Sequence, residues 1–303
     1  MTPLEIVALE PAGAEVFGAD LSDQSVADSD QITAAFAAFG LLVFREQVVD
    51  ERELFAFASR FGSASMIQGV GAPGQWHAGN TGQVEPMLGT LSALRGRHDV
   101  PDTRFASTSV AFDYLSSSTR SALEGLHGHH LLNDDAAATT RHPLVIRHPL
   151  SGRKTLFANP STTIGVDGMG DAAGLALLNE LFEHGQSEGC VTTVSWEPGT
   201  VILWDSRSFW RFEPTQTDPD QLLTIQIQGV ALSPAVPQDA TDPSLVQRAG
   251  ATLAGGIITA AMTGIAEVIE PERVRPDVEI VAEAPDREPL DDGFDFGDLP
   301  PLD

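Results

Sequence analysis

The stretch Cys190-Val-Thr-Thr-Val-Ser-Trp-Glu-Pro-Gly-Thr-Val-Ile-Leu-Trp-Asp205 decides the fold class of this chain. Its two halves, Cys190 to Trp196 and Val201 to Asp205, are rich in β-branched and aromatic residues and predict strands. Glu197-Pro-Gly199 between them has the composition of a turn. A third β-rich run, Leu222 to Leu232, follows soon after. Closely spaced short strands of this kind indicate a mainly β fold.

Helical patterns occur outside these runs. They cover Asp28 to Phe39, Asp50 to Arg60, Val110 to Leu126 and Ala172 to His184. The helices do not alternate regularly with strands, so a doubly wound parallel sheet is a poor fit. The turn sequence Pro149-Leu-Ser-Gly152 predicts a further hairpin. We therefore predict an α+β, mainly β fold, a barrel or jelly-roll sandwich with helices packed outside.

The charge balance narrows the classes of partner. The 303 residues carry a net charge of −26, from 17 Lys and Arg against 43 Asp and Glu. Nucleic acids and anionic membranes both require basic surfaces, so we expect neither as a partner.

No apolar run approaches the ~20 residues of a membrane span, and the start lacks a basic segment followed by an apolar one. With a single cysteine, Cys190, these features predict a cytoplasmic protein.

The composition changes towards the C-terminus. We predict one domain over residues 1–232 and a polar linker with a short helix over residues 233–275. Residues 276–303 contain ten acids, one base and five prolines. Such a segment cannot bury enough apolar surface to fold, so we predict an acidic disordered tail.

Several stretches fit one known family when they are taken together. They are Ala35 to Gln47 with a helix ending near Gly62, Gln75-Trp-His-Ala-Gly79, His142 to Arg153, Leu156-Phe-Ala-Asn159 and Leu203-Trp-Asp-Ser-Arg207. In content, order and spacing they resemble the TauD/TfdA family of dioxygenases that depend on Fe(II) and 2-oxoglutarate. The resemblance covers about residues 5–232. It implies a double-stranded β-helix (jelly roll) core whose open mouth holds the active site.

The iron ligands that this resemblance implies are mostly replaced. Such a site holds Fe(II) through two imidazoles and one carboxylate. The resemblance places the first imidazole at His77, the carboxylate at Gly79 and the second imidazole at Arg211. Glycine at the carboxylate position alone would resemble the related halogenases, but a guanidinium cannot ligate a cation. We therefore predict no metal at these positions.

The anchor for 2-oxoglutarate is replaced as well. A guanidinium fork grips the distal carboxylate of this cosubstrate in the family. The two arginine positions of the last strand fall at Leu222 and Gln226. Thr103, which the resemblance implies as a hydroxyl donor to the cosubstrate, is retained. We therefore predict no cofactor.

Three interpretations follow. The first is a metal-independent enzyme acting on a small, anionic metabolite, as in specialised metabolism, with His77 and Arg211 as catalytic residues. Its substrate pocket would be formed by Trp76, Thr103, Phe209, Trp210 and Gln226. The second is a non-catalytic homologue that stabilises or regulates a partner protein. The third is an atypical oxidoreductase with a rearranged metal site, the one case in which Fe(II) and 2-oxoglutarate would be cofactors.

Structural roles compete with these assignments. Arg211 could form an ion pair with Asp205 or Glu213, and self-association to a homo-oligomer stays open. His127, His129 and His130 are clustered, but we interpret them as a polar helix end rather than a metal site. His142 and His148 are expected to be structural, and His184 is expected on the surface.

Overall fold

The computed structural model describes residues 4–22, 26–67, 73–79, 89–94, 101–132, 135–212 and 222–228. The predicted linker (233–275) and acidic tail (276–303) lie outside these residues, as does Glu213. None of the helices in the described part of the chain is long and apolar enough to cross a membrane.

Five α-helices occur in the described residues. They are α1 (Val26–Phe39), α2 (Glu51–Ala58), α3 (Thr108–Tyr114), α4 (Ser117–Leu123) and α5 (Asp171–Gly185). The single helix predicted from Val110 to Leu126 is wrong, because it is broken into α3 and α4. Leu115 is extended, with ψ of 148°, and the Ser116 hydroxyl accepts from the Thr119 N–H to cap α4.

The strands of the described residues are listed here in chain order. They are β1 (Glu5–Ala8), β2 (Ala14–Phe17), β3 (Leu41–Phe44), β4 (Ser63–Ile67), β5 (Trp76–His77), β6 (Gly89–Leu94), β7 (Thr103–Ser107), β8 (His127–Leu132), β9 (Asp135–Pro143), β10 (Val145–Arg147), β11 (Lys154–Leu156), β12 (Thr163–Val166), β13 (Val191–Val194), β14 (Val201–Trp204), β15 (Phe209–Phe212) and β16 (Leu222–Gln228).

Two of the sheets position the site. The large sheet has the order β1-β2-β3-β14-β6-β16-β4, and the small sheet has the order β13-β7-β15-β5. A third sheet has the order β12-β8-β9, and β10 and β11 form the predicted hairpin. Pairing is antiparallel except between β2 and β3. The turn at Glu197 to Gly199 carries the chain from β13 of the small sheet to β14 of the large sheet.

Strand alternation divides the core into layers. One buried cluster joins the outer face of the large sheet, with Leu42 and Leu203, to Phe36 of α1 and Phe57 of α2. A second cluster lies between the sheets, with Ile202 and Trp204 of the large sheet against Phe105 and Phe209 of the small sheet. A third joins the outer face of the small sheet to α3 and α5. The fold is therefore mainly β with helices outside, as predicted.

Candidate functional site

His77 and Arg211 are direct partners across the small sheet. His77 ends the two-residue strand β5, and Arg211 is its Cα partner on β15 in antiparallel register. The His77 residue is 2% exposed and Arg211 is 1% exposed. Side chains directly opposite in an antiparallel pair share a face and start about 5 Å apart. The structure thus brings together the two residues predicted to be catalytic.

Both side chains are on the face that looks towards the large sheet. The His77 ring meets the indole of Trp204 edge-on, with ring centroids 6.1 Å apart. Phe105, the β7 partner of Arg211, lies 5.8 Å from the same indole. Phe209, two residues before Arg211 on β15, belongs to the same buried cluster. The candidate site therefore lies between the two sheets.

Trp76 and Trp210 are on the other face. The Trp210 Nε1–H donates to the carbonyl of Ala158 at 2.7 Å, and its ring contacts Phe182 of α5. The Trp76 ring lies edge-on to Phe212 at 5.4 Å. Each tryptophan directly precedes a site residue in sequence, and successive strand residues point to opposite faces. This corrects the expectation that Trp76 and Trp210 line a pocket with His77 and Arg211.

Thr103 and Gln226 share the intersheet space with the site. Thr103 is on the same face of β7 as Phe105, and its Oγ1 accepts from Trp196 Nε1–H at 2.8 Å. On β16, Leu223, Ile225 and Ile227 pack on the outer helices. Gln226 lies between two of these residues, so alternation directs it inward, where it is half-buried.

Asn159 holds the loop that follows His77. Its Oδ1 accepts from the Ala78 N–H at 3.2 Å, and its Nδ2–H donates to the Gly79 carbonyl at 2.8 Å. Its own N–H donates to Thr163 Oγ1 at 2.7 Å. Asn159 is fully buried. The sequence motif Leu156-Phe-Ala-Asn159 includes this residue, but its role was not predicted. The available signal was that a polar side chain ends an apolar run.

A backbone N–H sets the tautomer of His77. The Gly79 N–H donates to His77 Nδ1 at 3.3 Å. Because a backbone N–H only donates, Nδ1 accepts, and the neutral ring carries its proton on Nε2. That tautomer offers no lone pair at Nε2. Gly79 itself has φ of 63°, a left-handed conformation that is costly for residues with a Cβ.

The other side chains that could ligate a metal are not clustered in the described part of the chain. Within the described ranges, no group of three or more His, Cys, Asp or Glu side chains could hold a metal ion. Leu222, which the resemblance places at an arginine position, packs on the intersheet cluster. At the positions that the resemblance assigns, neither Gly79 nor Arg211 has a side-chain lone pair for Fe(II), and Leu222 has no charge for the carboxylate of 2-oxoglutarate.

Asp205 fixes the turn between β14 and β15. Its carboxylate accepts from Arg207 Nη2–H at 2.6 Å and lies 3.0 Å from His148 Nε2, while the Ser151 N–H donates to His148 Nδ1 at 3.2 Å. Burial alone would raise the pKa of Asp205, but Arg207 and His148 outweigh it and hold this pKa below its usual range. Asp205 is thus committed to Arg207 and His148, which weakens the alternative that it pairs with Arg211.

The clustered histidines are in β8 rather than at a helix end, so that expectation is wrong. His129 lies 3.7 Å from Asp167, which also accepts from Arg141 at 2.7 Å on the surface. His130 is fully buried, and burial together with His142 and His129 lowers the pKa of His130 to about 3.

The surface position expected for His184 is also wrong, because it is 5% exposed and its Nε2 lies 2.9 Å from the Ala111 carbonyl.

Comparisons with known proteins point in one direction. Residues 74–210 match the family described as taurine catabolism dioxygenase TauD, TfdA family. A sulfonate dioxygenase of Saccharomyces cerevisiae that depends on alpha-ketoglutarate (2-oxoglutarate) is 27% identical over 241 residues, which are 64% of this chain and 58% of the relative. A 2,4-dichlorophenoxyacetate dioxygenase of Cupriavidus pinatubonensis is 32% identical over 148 residues, which are 44% of this chain and 51% of the relative.

Solved structures share the fold. A taurine dioxygenase from Burkholderia xenovorans superposes with a TM-score of 0.67 at 26% identity, covering 75% of this chain and 91% of that one. A second structure, of AAD-2 with Mn(II) and N-oxalylglycine, gives a TM-score of 0.68 at 21% identity and covers 98% of that chain. The present chain spans little more than half the length of the yeast and Cupriavidus relatives. The family match, the curated relatives and the shared fold agree, and over residues 74–210 this chain is similar to the TauD, TfdA family.

Proposed function

We propose that this chain binds a small anionic metabolite between the large and small sheets and acts on it without iron or 2-oxoglutarate. In this proposal the two facing sheets are the walls of a double-stranded β-helix. The observation that carries the proposal is the pairing of Arg211 with His77, since the resemblance assigns both positions to iron ligands.

The charge of Arg211 favours an anion over a metal. A guanidinium keeps its proton at every physiological pH and offers five N–H donors but no lone pair. Two unit charges of the same sign 4 Å apart repel by about 4 kcal/mol at an effective dielectric constant near 20. A divalent cation held by His77, directly across from Arg211, would meet this repulsion. A carboxylate or a developing oxyanion would be attracted instead.

His77 supplies a hydrogen-bond donor for the substrate. With Nδ1 engaged by the Gly79 N–H, the Nε2–H of the neutral ring can donate to a bound anion and stabilise negative charge that develops on it. Arg211 orients the anion, and Thr103 and Gln226 contribute neutral hydrogen-bonding groups to the same intersheet space. This set supports binding of an anionic substrate and stabilisation of a developing oxyanion, with no net oxidation.

Burial of the site favours one other candidate. His77 and Arg211 are 2% and 1% exposed, as expected for side chains that only support a core. A non-catalytic homologue that stabilises a partner protein would need no access to them. In that case His77→Gln and Arg211→Gln would leave the partner's activity unchanged, provided that the variants fold.

Metal analysis tests the metal-free part of the proposal. Purified full-length protein is incubated anaerobically with Fe(II), Mn(II) or Zn(II), desalted and analysed for metal per chain. We expect well below one equivalent. His77→Gln and the surface variant His129→Gln serve as a matched pair. About one metal per chain that is lost in His77→Gln but kept in His129→Gln would refute a metal-free site.

Thermal unfolding tests the ligand. Because a ligand raises the melting temperature by binding the native state, 2-oxoglutarate with Fe(II) should give no Fe(II)-dependent shift. Small carboxylates should stabilise the wild-type chain and the exposed control Arg52→Gln, but not Arg211→Gln. A shift with 2-oxoglutarate that requires Fe(II) would show an intact cosubstrate site and contradict the proposal.

A further inference from the structure

The indole of Trp204 is a buried hydrogen-bond donor with no acceptor in the described part of the chain. Trp204 is 0% exposed, and its Nε1 has no partner there. In contrast, Trp196 donates to Thr103 and Trp210 donates to the Ala158 carbonyl. Buried polar groups in folded proteins nearly always have a partner, and an indole N–H can only donate. The Trp204 indole N–H is therefore a donor for an acceptor that the described residues do not supply.

Trp204 faces the candidate site from the large sheet. Its ring contacts His77 and Phe105 of the small sheet, with centroids 6.1 and 5.8 Å away. Trp204 of β14 and Gln226 of β16 both pair with Thr90 of the strand between them, β6. The two side chains therefore point to the same face of the large sheet. The intersheet space is thus bounded by Trp204 and Gln226 on one wall and by His77 and Arg211 on the other.

We infer that Trp204 is a ligand-binding residue whose Nε1–H donates to one oxygen of a carboxylate, while Arg211 holds the charge of the same group. This inference rests on the proposed function and names its ligand class. A carboxylate carries two oxygens with about four lone-pair sites, so it can accept from both walls at once. A neutral amide or alcohol could satisfy Trp204 but would not complement the guanidinium.

Nuclear magnetic resonance of the full-length, ¹⁵N-labelled protein tests this directly. The indole N–H signals are followed while formate, acetate or benzoate is added, with formamide, acetamide and benzamide as matched neutral probes. The Trp204 signal is assigned through its proximity to the rings of His77 and Phe105. We expect it to move downfield and saturate with the carboxylates only. The Trp196 and Trp210 signals, which already have acceptors, should stay in place.

A variant provides the second readout. Trp204→Phe keeps an aromatic ring but removes the donor, so the Kd for the best carboxylate should rise about tenfold or more. Trp210→Phe, on the other face of the small sheet, should leave that Kd unchanged. If Trp204→Phe does not fold, the wild-type titration decides alone.

The outcomes separate this inference from the proposed function. Carboxylate binding that requires Arg211 but leaves the Trp204 signal unmoved would overturn the role of Trp204 and retain the proposed function. Equal movement with carboxylates and amides would overturn the carboxylate assignment. If no probe binds, down to formate as the smallest, both proposals fall.

Discussion

Asn159 donates its side-chain N–H to the backbone carbonyl of Gly79 at 2.8 Å, although 80 residues separate the two. The same amide accepts from the Ala78 N–H. The segment next to His77 is thereby held by a residue that is distant in sequence, and the orientation of the imidazole depends on this amide.

Replacing Asn159 should therefore loosen the site. Asn159→Leu leaves the Ala78 N–H and the Gly79 carbonyl without their partner, at about 1–3 kcal/mol for each buried group. We expect the free energy of unfolding to fall by about 2–4 kcal/mol in urea denaturation, with weaker carboxylate binding. Asn159→Asp keeps the acceptor and should lose less. Equal stability of Asn159→Leu and the wild-type chain would show that the loop does not depend on this amide.

Two substitutions should create a metal site. Arg211→His with Gly79→Asp restores an imidazole directly across from His77 and a carboxylate two residues after it. Aspartate tolerates the left-handed conformation of Gly79 better than most residues do. We expect the double variant to take up about one Co(II) per chain, seen by its visible absorption. Each single variant should bind far more weakly, and strong binding by Gly79→Asp alone would mean that Arg211 does not oppose the metal.

His130 should make stability depend on pH. Its pKa is about 3 in the folded chain, below the ordinary 6.5, because it is buried and lies near His142 and His129. Between pH 6.5 and about 3, His130 is therefore protonated in the unfolded chain but neutral in the folded chain. The contribution of His130 to the free energy of unfolding is complete above pH 6.5. It is lost as the pH falls, by on the order of 1.4 kcal/mol per pH unit.

The measurement is the slope of unfolding free energy against pH between 4 and 6. His130→Gln should flatten this slope, whereas His127→Gln, at a partly exposed position three residues earlier in β8, should not. An unchanged slope in His130→Gln would assign the acid sensitivity to other groups.

Asp205 should be essential to folding stability. Asp205→Asn leaves Arg207 and His148 facing a neutral amide in the interior, and breaking such a buried pair costs about 3–5 kcal/mol. Because the pKa of Asp205 is depressed, its stabilising contribution is present at neutral pH and is lost only as the pH falls below about 4. Asp167→Asn, at a solvent-exposed ion pair with Arg141, is the matched control and should change little in denaturant unfolding.

Local sequence patterns predicted most of the elements. The β-rich runs and the turn at Glu197 to Gly199 were right because β-branched residues and Pro-Gly pairs restrict the backbone locally. The split of the helix at Leu115 was missed, because Ser116 was read as a helix residue rather than as a cap. The β8 histidines were misassigned since strand pairing with β9 and β12, not local propensity, determines that segment.

The sequence by itself determined which chemical groups stand at the positions that the resemblance assigns to ligands, His77, Gly79 and Arg211, because those positions are counted along the chain from the motifs. Only the tertiary structure decided which side chains meet. Strand pairing turned Arg211 towards His77 and turned Trp76 and Trp210 away, and long-range packing brought Trp204 onto the same space. The reason is physical: a residue's face on a strand is set by its partners across the sheet and by which surface is buried, and neither is encoded within a few neighbouring residues.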